Sequence, residues 1–292
     1  MTPKELASQI ESVSLRAITA LNKVIIATQD EAYGDVIIVL KKLELDSEGY
    51  ILQNAVNRAT IRETNRVFSK SIDQSGYLDG LNRFNVTFST IDKLNIEYFN
   101  DFPKFQPNKL FTRDLQKQII SDIESQLLNW GLESQVKIPL SQILNQNVNS
   151  GGSYSGMLEQ VKDYIKGTDG EGKLLSYANT ITKDLLFNYS RTYQQAVSSD
   201  LGLEFYLYVG GLIDTTRTFC ADRAGRYFHH KEIESWASED WKGKRSDTTE
   251  SSIFIYAGGH NCLHQILPVS VVIVPQIDID RAKELGFYKS AA

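Results

Sequence analysis

The cysteine and histidine residues of this chain are few, and they lie close together. The 292 residues include only 2 cysteines and 4 histidines. All six lie between Cys220 and His264. Cysteine thiolates and histidine imidazoles are common Zn²⁺ ligands, and the same side chains act as nucleophile and base in hydrolases. The sequence therefore predicts that any chemistry is confined to the C-terminal third.

A zinc site is one interpretation of this cluster. Zn²⁺ takes four ligands at the corners of a tetrahedron. In a strand, Cys262 and His264 point to the same side, because alternate residues share a face. Either His230 or His260 is an alternative for the fourth position. The predicted metal ligands are two cysteines and two histidines: Cys220, Cys262, His264 and His229.

Two other interpretations of the cluster stay open. Cys220 and Cys262 can lie together as packed thiols or as a disulfide that joins the two ends of the segment. Alternatively, Cys220 acts as a nucleophile with His260 or His264 as its base and Asn261 orienting the base. A nuclease of the His-Asn-His type fits less well, since its histidines and asparagine would be crowded into five residues.

Charged residues next to the cluster have simpler explanations. We expect Arg217 to pair with a carboxylate of the same domain, such as Asp214 or Asp222, and a carboxylate of a partner protein is the alternative. The basic loop Lys242–Arg245 is interpreted as a solvated loop rather than a DNA contact.

The first two-thirds of the chain has the apolar periodicity of helices. Apolar residues recur at steps of three and four, which places them on one face of a helix. Breaks are predicted at Pro103–Pro107, Ser150–Ser153 and Gly167–Gly172. Lys183 and Asp184 on the last helix are interpreted as solvated. The predicted helices cover residues 6–24, 48–71, 112–130 and 174–202.

The character of the sequence changes after Gly202. Short runs of aromatic and β-branched residues predict strands, and Trp236 and Trp241 are expected to cover a small core. The predicted elements are strands at 204–209, 225–228, 252–256 and 265–274, a short helix at 231–237 and a terminal helix at 278–286. The fold class is therefore α+β, with long helices in the N-terminal two-thirds and short antiparallel strands in a small C-terminal domain.

Composition excludes several classes of protein. Lys and Arg total 31 and Asp and Glu total 36, so the net charge is −5, which argues against a broad phosphate-binding surface. Two cysteines do not make a disulfide scaffold. The charged residues Lys4, Glu5 and Glu11 interrupt the apolar run that a signal peptide needs. The apolar runs fall well short of the roughly 20 residues that span a bilayer, so we expect no membrane partner.

The order of motifs after the last long helix resembles that of a known family. A helix containing Tyr193–Ala196 precedes a strand, an Asp-x-x-Arg-x-x-Cys element, a glycine turn and a closing Gly-Gly-His-Asn-Cys-x-His element before the last strand. This order is similar to the C-terminal domain of phage minor head proteins of the Mu gene F and SPP1 head-morphogenesis type. The residues that carry the resemblance are Asp214, Arg217, Cys220, Gly225, Trp241, Gly243, Gly259, His260, Cys262 and His264.

The resemblance implies a structural role in a bacteriophage virion. Family members bind the portal protein or the major capsid protein at the capsid interior or portal vertex, assemble in the host cytoplasm and can leave with the packaged DNA. It implies neither a small-molecule substrate nor an enzyme. It also implies a helical region at 1–172, a family domain at 173–275 that includes its leading helix, and a tail at 276–292.

Two alternatives to this role remain. The first is a metal-dependent hydrolase or nuclease that uses the same cysteines and histidines. The second is an interaction protein unrelated to phage.

Overall fold

The computed structural model describes residues 1–289, and these form two compact units. We call residues 17–85 and 120–182 the helical unit. We call residues 1–16, 86–119 and 183–289 the sheet unit. Each unit is made of several chain segments that pack together. The domain boundaries at 172 and 275 that the sequence suggests remain a prediction.

The structure has the predicted α+β architecture, with long helices in the N-terminal part and a small antiparallel sheet near the C-terminus. The strands are β1 Phe205–Val209, β2 Tyr227–His229 and β3 Gln265–Val269. The helices are α1 Pro3–Leu40, α2 Ala55–Gln74, α3 Tyr77–Phe99, α4 Lys109–Leu127, α5 Trp130–Leu132, α6 Ile138–Ser150, α7 Tyr154–Ile165, α8 Lys173–Leu201, α9 Thr218–Ala221, α10 His230–Ser235, α11 Ile253–Tyr256 and α12 Gln276–Glu284.

The helical unit follows local signals in the sequence. Asn54 caps α2 by accepting from the backbone N–H of Asn57, and Ser153 caps α7 by accepting from the backbone N–H of Gly156. A side-chain oxygen at this position satisfies a backbone donor that the first helical turn leaves free. A π-helical turn at Glu133–Lys137 joins α5 to α6.

Two helix predictions need correction in this part of the chain. The helix predicted from residue 48 begins at Ala55, because residues 45–51 form a small turn closed by a bridge between Leu45 and Ile51. The helix predicted to end near residue 24 continues to Leu40, and helices α3, α6 and α7 have no predicted counterpart. The breaks at Pro103–Pro107, Ser150–Ser153 and Gly167–Gly172 are confirmed, since each lies between two α-helices.

The sheet has the order β2-β1-β3, and both pairings are antiparallel. Tyr208 of β1 lies opposite Ile266 of β3, and Phe205 lies opposite His229 of β2. Side chains alternate between the two faces of a strand, so Tyr208 and Phe205 belong to opposite faces. The face of Tyr208 packs on an aromatic core that contains Phe219, Phe228, Trp236 and Phe254.

The predicted strand at 252–256 is wrong, since residues 253–256 form α11. Its Ile and Phe residues are typical of strands, but Thr249 and Ser252 bond to each other's backbone and start a helical turn. The last strand is also shorter than predicted. It ends at Val269, where the Ser270 hydroxyl accepts from the N–H of Val272 and starts a 3₁₀ turn. None of the described helices is long and apolar enough to cross a membrane.

Candidate functional site

Three of the four predicted metal ligands meet in the sheet unit. Cys220 lies on α9, while Cys262 and His264 lie in the segment that leads into β3. The Sγ atoms of Cys220 and Cys262 are 4.0 Å apart, and the Cys262 Sγ is 3.8 Å from the His264 Nδ1. All three side chains are buried. We call these three residues the Cys-Cys-His cluster.

Two groups donate hydrogen bonds to the sulfurs of the cluster. The Tyr208 hydroxyl donates to the Cys220 Sγ at 3.2 Å, and the Gly258 N–H donates to the Cys262 Sγ at 3.3 Å. A Cβ atom on Gly258 would lie 2.3 Å from the Cys220 Sγ and 3.0 Å from the Cys262 Sγ. Glycine is therefore required at 258 for the backbone to approach both sulfurs.

The two thiols have opposite pKa shifts. A hydrogen bond from the Cys220 thiol lowers the pKa of Cys262 well below its usual value, with help from His264 and the charge of Arg191. The same hydrogen bond and burial raise the pKa of Cys220. The two thiols therefore titrate as a pair, since ionisation of the second would place two negative charges together.

Arg191 on α8 holds the closing segment of the cluster in place. This side chain is 2 % exposed. Its Nε donates to the carbonyl oxygen of His264 at 2.9 Å. Its Nη1 and Nη2 donate to the backbone carbonyl oxygens of Ile255 and Cys262, respectively. The planar guanidinium suits several carbonyls at fixed angles. The sequence gives no local signal for this residue, because the carbonyls that it binds belong to residues more than 60 positions away.

Asp184 also contacts the cluster segment, which corrects its interpretation as a solvated residue. Its Oδ1 accepts from the backbone N–H of Asn261 at 2.7 Å. Its Oδ2 lies 3.5 Å from Arg245 and 3.7 Å from the His260 ring. Because Asp184 and Arg191 are seven residues apart, they lie on one side of α8 and hold the same loop.

Arg217 bonds to a backbone carbonyl, not to the carboxylate that we expected. Its Nη2 donates to the carbonyl oxygen of His260. This bond joins the Asp-x-x-Arg-x-x-Cys element to the closing element across 43 residues. The guanidinium also packs against Gly243, where a Cβ atom would lie 2.5 Å from the Arg217 Nε.

The remaining motif residues shape the surroundings of the cluster. Trp241 stacks on Phe219 with ring centroids 3.9 Å apart and donates to the carbonyl oxygen of Gly258. Gly225 makes the turn into β2, and its N–H donates to the backbone carbonyl oxygen of Tyr208. Gly259 has a positive φ in the turn before His260. Trp236 is buried in the aromatic core, so both tryptophans cover the core as predicted.

The basic loop Lys242–Arg245 is partly used inside the sheet unit. Lys244 donates to the carbonyl oxygens of Ala237 and Glu239. Arg245 lies over the ring of Tyr256 as well as near Asp184. Lys244 and Arg245 are therefore held by contacts within the sheet unit, which corrects the interpretation of this segment as a solvated loop.

The fourth predicted ligand, His229, lies apart from the cluster. It is paired with Phe205, which places it on the sheet face opposite to Tyr208 and the two cysteines. It belongs instead to a second group with Glu204 and His230. Burial lowers the pKa of His229 to about 4, so its ring is neutral near pH 7. His260 is exposed and lies near Asp184.

A cleft of about 930 Å³ opens beside the cluster. Cys220, Cys262 and His264 all contribute to its lining. Charged groups of both signs also line the cleft, beside apolar and hydroxyl side chains: Glu11, Asp214, Arg217, Asp222, Arg223, Glu239, Asp240 and Lys242. The cluster therefore lies at the wall of a cleft that has both charged and apolar side chains in its lining.

In comparison with known proteins, no family model, curated protein or solved structure matches the chain. The assignment to phage minor head proteins is therefore a hypothesis that rests on the motif residues.

Proposed function

We propose that this chain is a phage minor head protein that acts by binding other virion proteins. Its partners would be the portal protein and the major capsid protein. It would be located at the capsid interior or portal vertex after assembly in the host cytoplasm. We also propose that the protein leaves the virion together with the DNA.

The observation that carries the proposal is the meeting of the two ends of the motif. The bond from Arg217 to His260 and the contact between Cys220 and Cys262 join elements about 40 residues apart. Trp241 and Gly243 pack at the same junction. The motif residues thus form one structural unit, as expected if they define a family domain.

The surface of the sheet unit supports binding as its mode of action. Four aliphatic side chains that lie within seven residues of each other are exposed: Val271, Val272, Ile273 and Ile277. We call these residues the apolar segment. A run of exposed aliphatic side chains is typical of an interaction surface, because such side chains lose unfavourable contact with water when a partner covers them.

Co-purification tests the proposal directly. The full chain is expressed with the portal protein and the major capsid protein of the same phage genome, and each pair is isolated through a tag on the partner. We expect a stoichiometric complex with at least one partner near physiological salt. Absence of this chain from both complexes and from assembled procapsids would contradict the proposal.

A metal-dependent hydrolase or nuclease is the second candidate, and the cleft beside the cluster favours it. A metal held at the cleft wall would be in reach of a substrate. Turnover of phosphodiester and peptide substrates by the zinc-loaded chain, lost on chelation, would support this candidate. Substrate stability over long incubation would exclude it for those substrates.

A further inference from the structure

We propose that Cys220, Cys262 and His264 bind one Zn²⁺ ion whose fourth coordination position faces the cleft. This proposal does not depend on the role in head assembly, since it follows from the geometry of the Cys-Cys-His cluster alone. It differs from the site expected from the sequence, because His229 takes no part and, among the described residues, no fourth His, Cys, Asp or Glu joins the three.

The distances within the cluster match a tetrahedral zinc site. With Zn–S bonds of about 2.3 Å and Zn–N bonds of about 2.0 Å, tetrahedral angles place two sulfurs about 3.8 Å apart and a sulfur and nitrogen about 3.5 Å apart. The corresponding distances are 4.0 Å between the sulfurs and 3.8 Å between the Cys262 Sγ and the His264 Nδ1. Shifts of about 0.2 and 0.3 Å would bring these two distances to the tetrahedral values. The third pair, the Cys220 Sγ and a His264 ring nitrogen, lies within 4.8 Å.

The surroundings suit a charged site. On binding Zn²⁺, any thiol proton is released to solvent and both sulfurs coordinate as thiolates. The Tyr208 hydroxyl and the Gly258 N–H already donate to these sulfurs. Such donors orient the ligands of a metal and spread the charge of the thiolates.

The fourth position is assigned to an added ligand because the usual protein ligands of Zn²⁺ are used up at three. Within the described residues, no other His, Cys, Asp or Glu side chain belongs to the group formed by the three ligands. All three of them line the cleft. Structural zinc sites usually have four protein ligands, whereas sites with three leave a position for water or an added ligand.

Cobalt substitution is the main test. Reduced, metal-free full chain is titrated with Co²⁺, which gives a sulfur-to-metal charge-transfer band and visible ligand-field bands in a tetrahedral thiolate site. We expect saturation at one Co²⁺ per chain and displacement of Co²⁺ by Zn²⁺. A titration of the wild-type chain without a sulfur-to-metal band would overturn the proposal, whatever the behaviour of variants.

Variants identify the ligands. Cys262→Ser should weaken Co²⁺ binding by more than about 100-fold, beyond the usual cost of losing an outer partner. His229→Gln is the matched control, since this buried histidine lies on the other sheet face and should leave binding unchanged. Circular dichroism establishes that each variant is folded. Loss of binding in His229→Gln with retention in folded Cys262→Ser would overturn the ligand set.

The open position has its own readout. Azide or cyanide added to the Co²⁺ form should shift the visible bands, because an added ligand enters the fourth position. An unchanged spectrum at high azide would mean that the site is closed. A Cys220–Cys262 disulfide in protein purified without reductant, persisting after metal is supplied, would also overturn the proposal.

Discussion

Gly258 lies where two sulfur atoms leave no room for a side chain. An added Cβ would lie 2.3 Å from the Cys220 Sγ, so Gly258→Ala forces α9 and the closing segment apart. Overpacking of this kind costs about 1–3 kcal/mol. We expect the free energy of unfolding in urea to fall by that amount.

Gly34→Ala is the control for this substitution. Gly34 lies inside α1, and nothing comes within 4 Å of its added Cβ. Alanine favours a helix interior over glycine by about 0.8–1.0 kcal/mol, so this variant should be slightly more stable than wild type. Equal stability of the two variants would show that the approach to the sulfurs is not restrictive.

At the scale of elements, α3, α4 and α8 meet around a buried carboxyl group. Asp92 on α3 accepts from the Tyr189 hydroxyl on α8 and from Gln116 on α4. Burial raises the pKa of Asp92 to about 6, although both hydrogen bonds act in the opposite direction. Between about pH 4 and pH 6, the folded state therefore holds a proton on Asp92 that the unfolded chain has lost.

This pKa shift predicts a pH dependence of stability. The folded state keeps the Asp92 proton up to about pH 6, whereas the unfolded chain releases it near the ordinary aspartate pKa of 3.8. Stability is therefore lost as pH rises from about 4 to about 6, by about 3 kcal/mol. Asp92→Asn should remove this loss and be more stable than wild type at pH 7.

Urea unfolding at pH 4, 5, 6 and 7 checks this prediction. Glu97→Gln is the control, because Glu97 is an exposed acidic residue on the same helix, and its profile should follow wild type. A wild-type profile that rises from pH 4 to pH 6 in parallel with that of Asp92→Asn would contradict the assignment.

At the scale of the whole molecule, binding should depend on the apolar segment. Val272 is 87 % exposed and Ile277 is 76 % exposed. The double variant Val272→Ser, Ile277→Ser should reduce co-purification with the virion partner at least tenfold, since two buried aliphatic side chains contribute about 1.5–3 kcal/mol each. Its thermal unfolding should match wild type.

Val86→Ser provides the comparison for this surface. Val86 is 65 % exposed on α3 and lies outside the apolar segment, so we expect normal co-purification. Unchanged binding of the double variant would place the partner elsewhere on the protein.

The local elements could be predicted where one face of the chain is apolar. The spacing of Leu174, Ala178, Leu185 and Tyr189 predicted α8, because a helix repeats its face every three or four residues. The strand β1 was predicted from its aromatic and β-branched run. The same propensities failed for Ile253–Tyr256, where hydroxyl groups of neighbouring residues start a helical turn instead.

The sequence by itself determined that the chain is α+β and that its cysteines and histidines are confined to one region. Only the tertiary structure decided which of them meet. Strand pairing places His229 on the other sheet face, and Arg191 reaches carbonyls more than 60 residues away. Neither result has a local signal, because both depend on pairing and packing between segments distant in the chain.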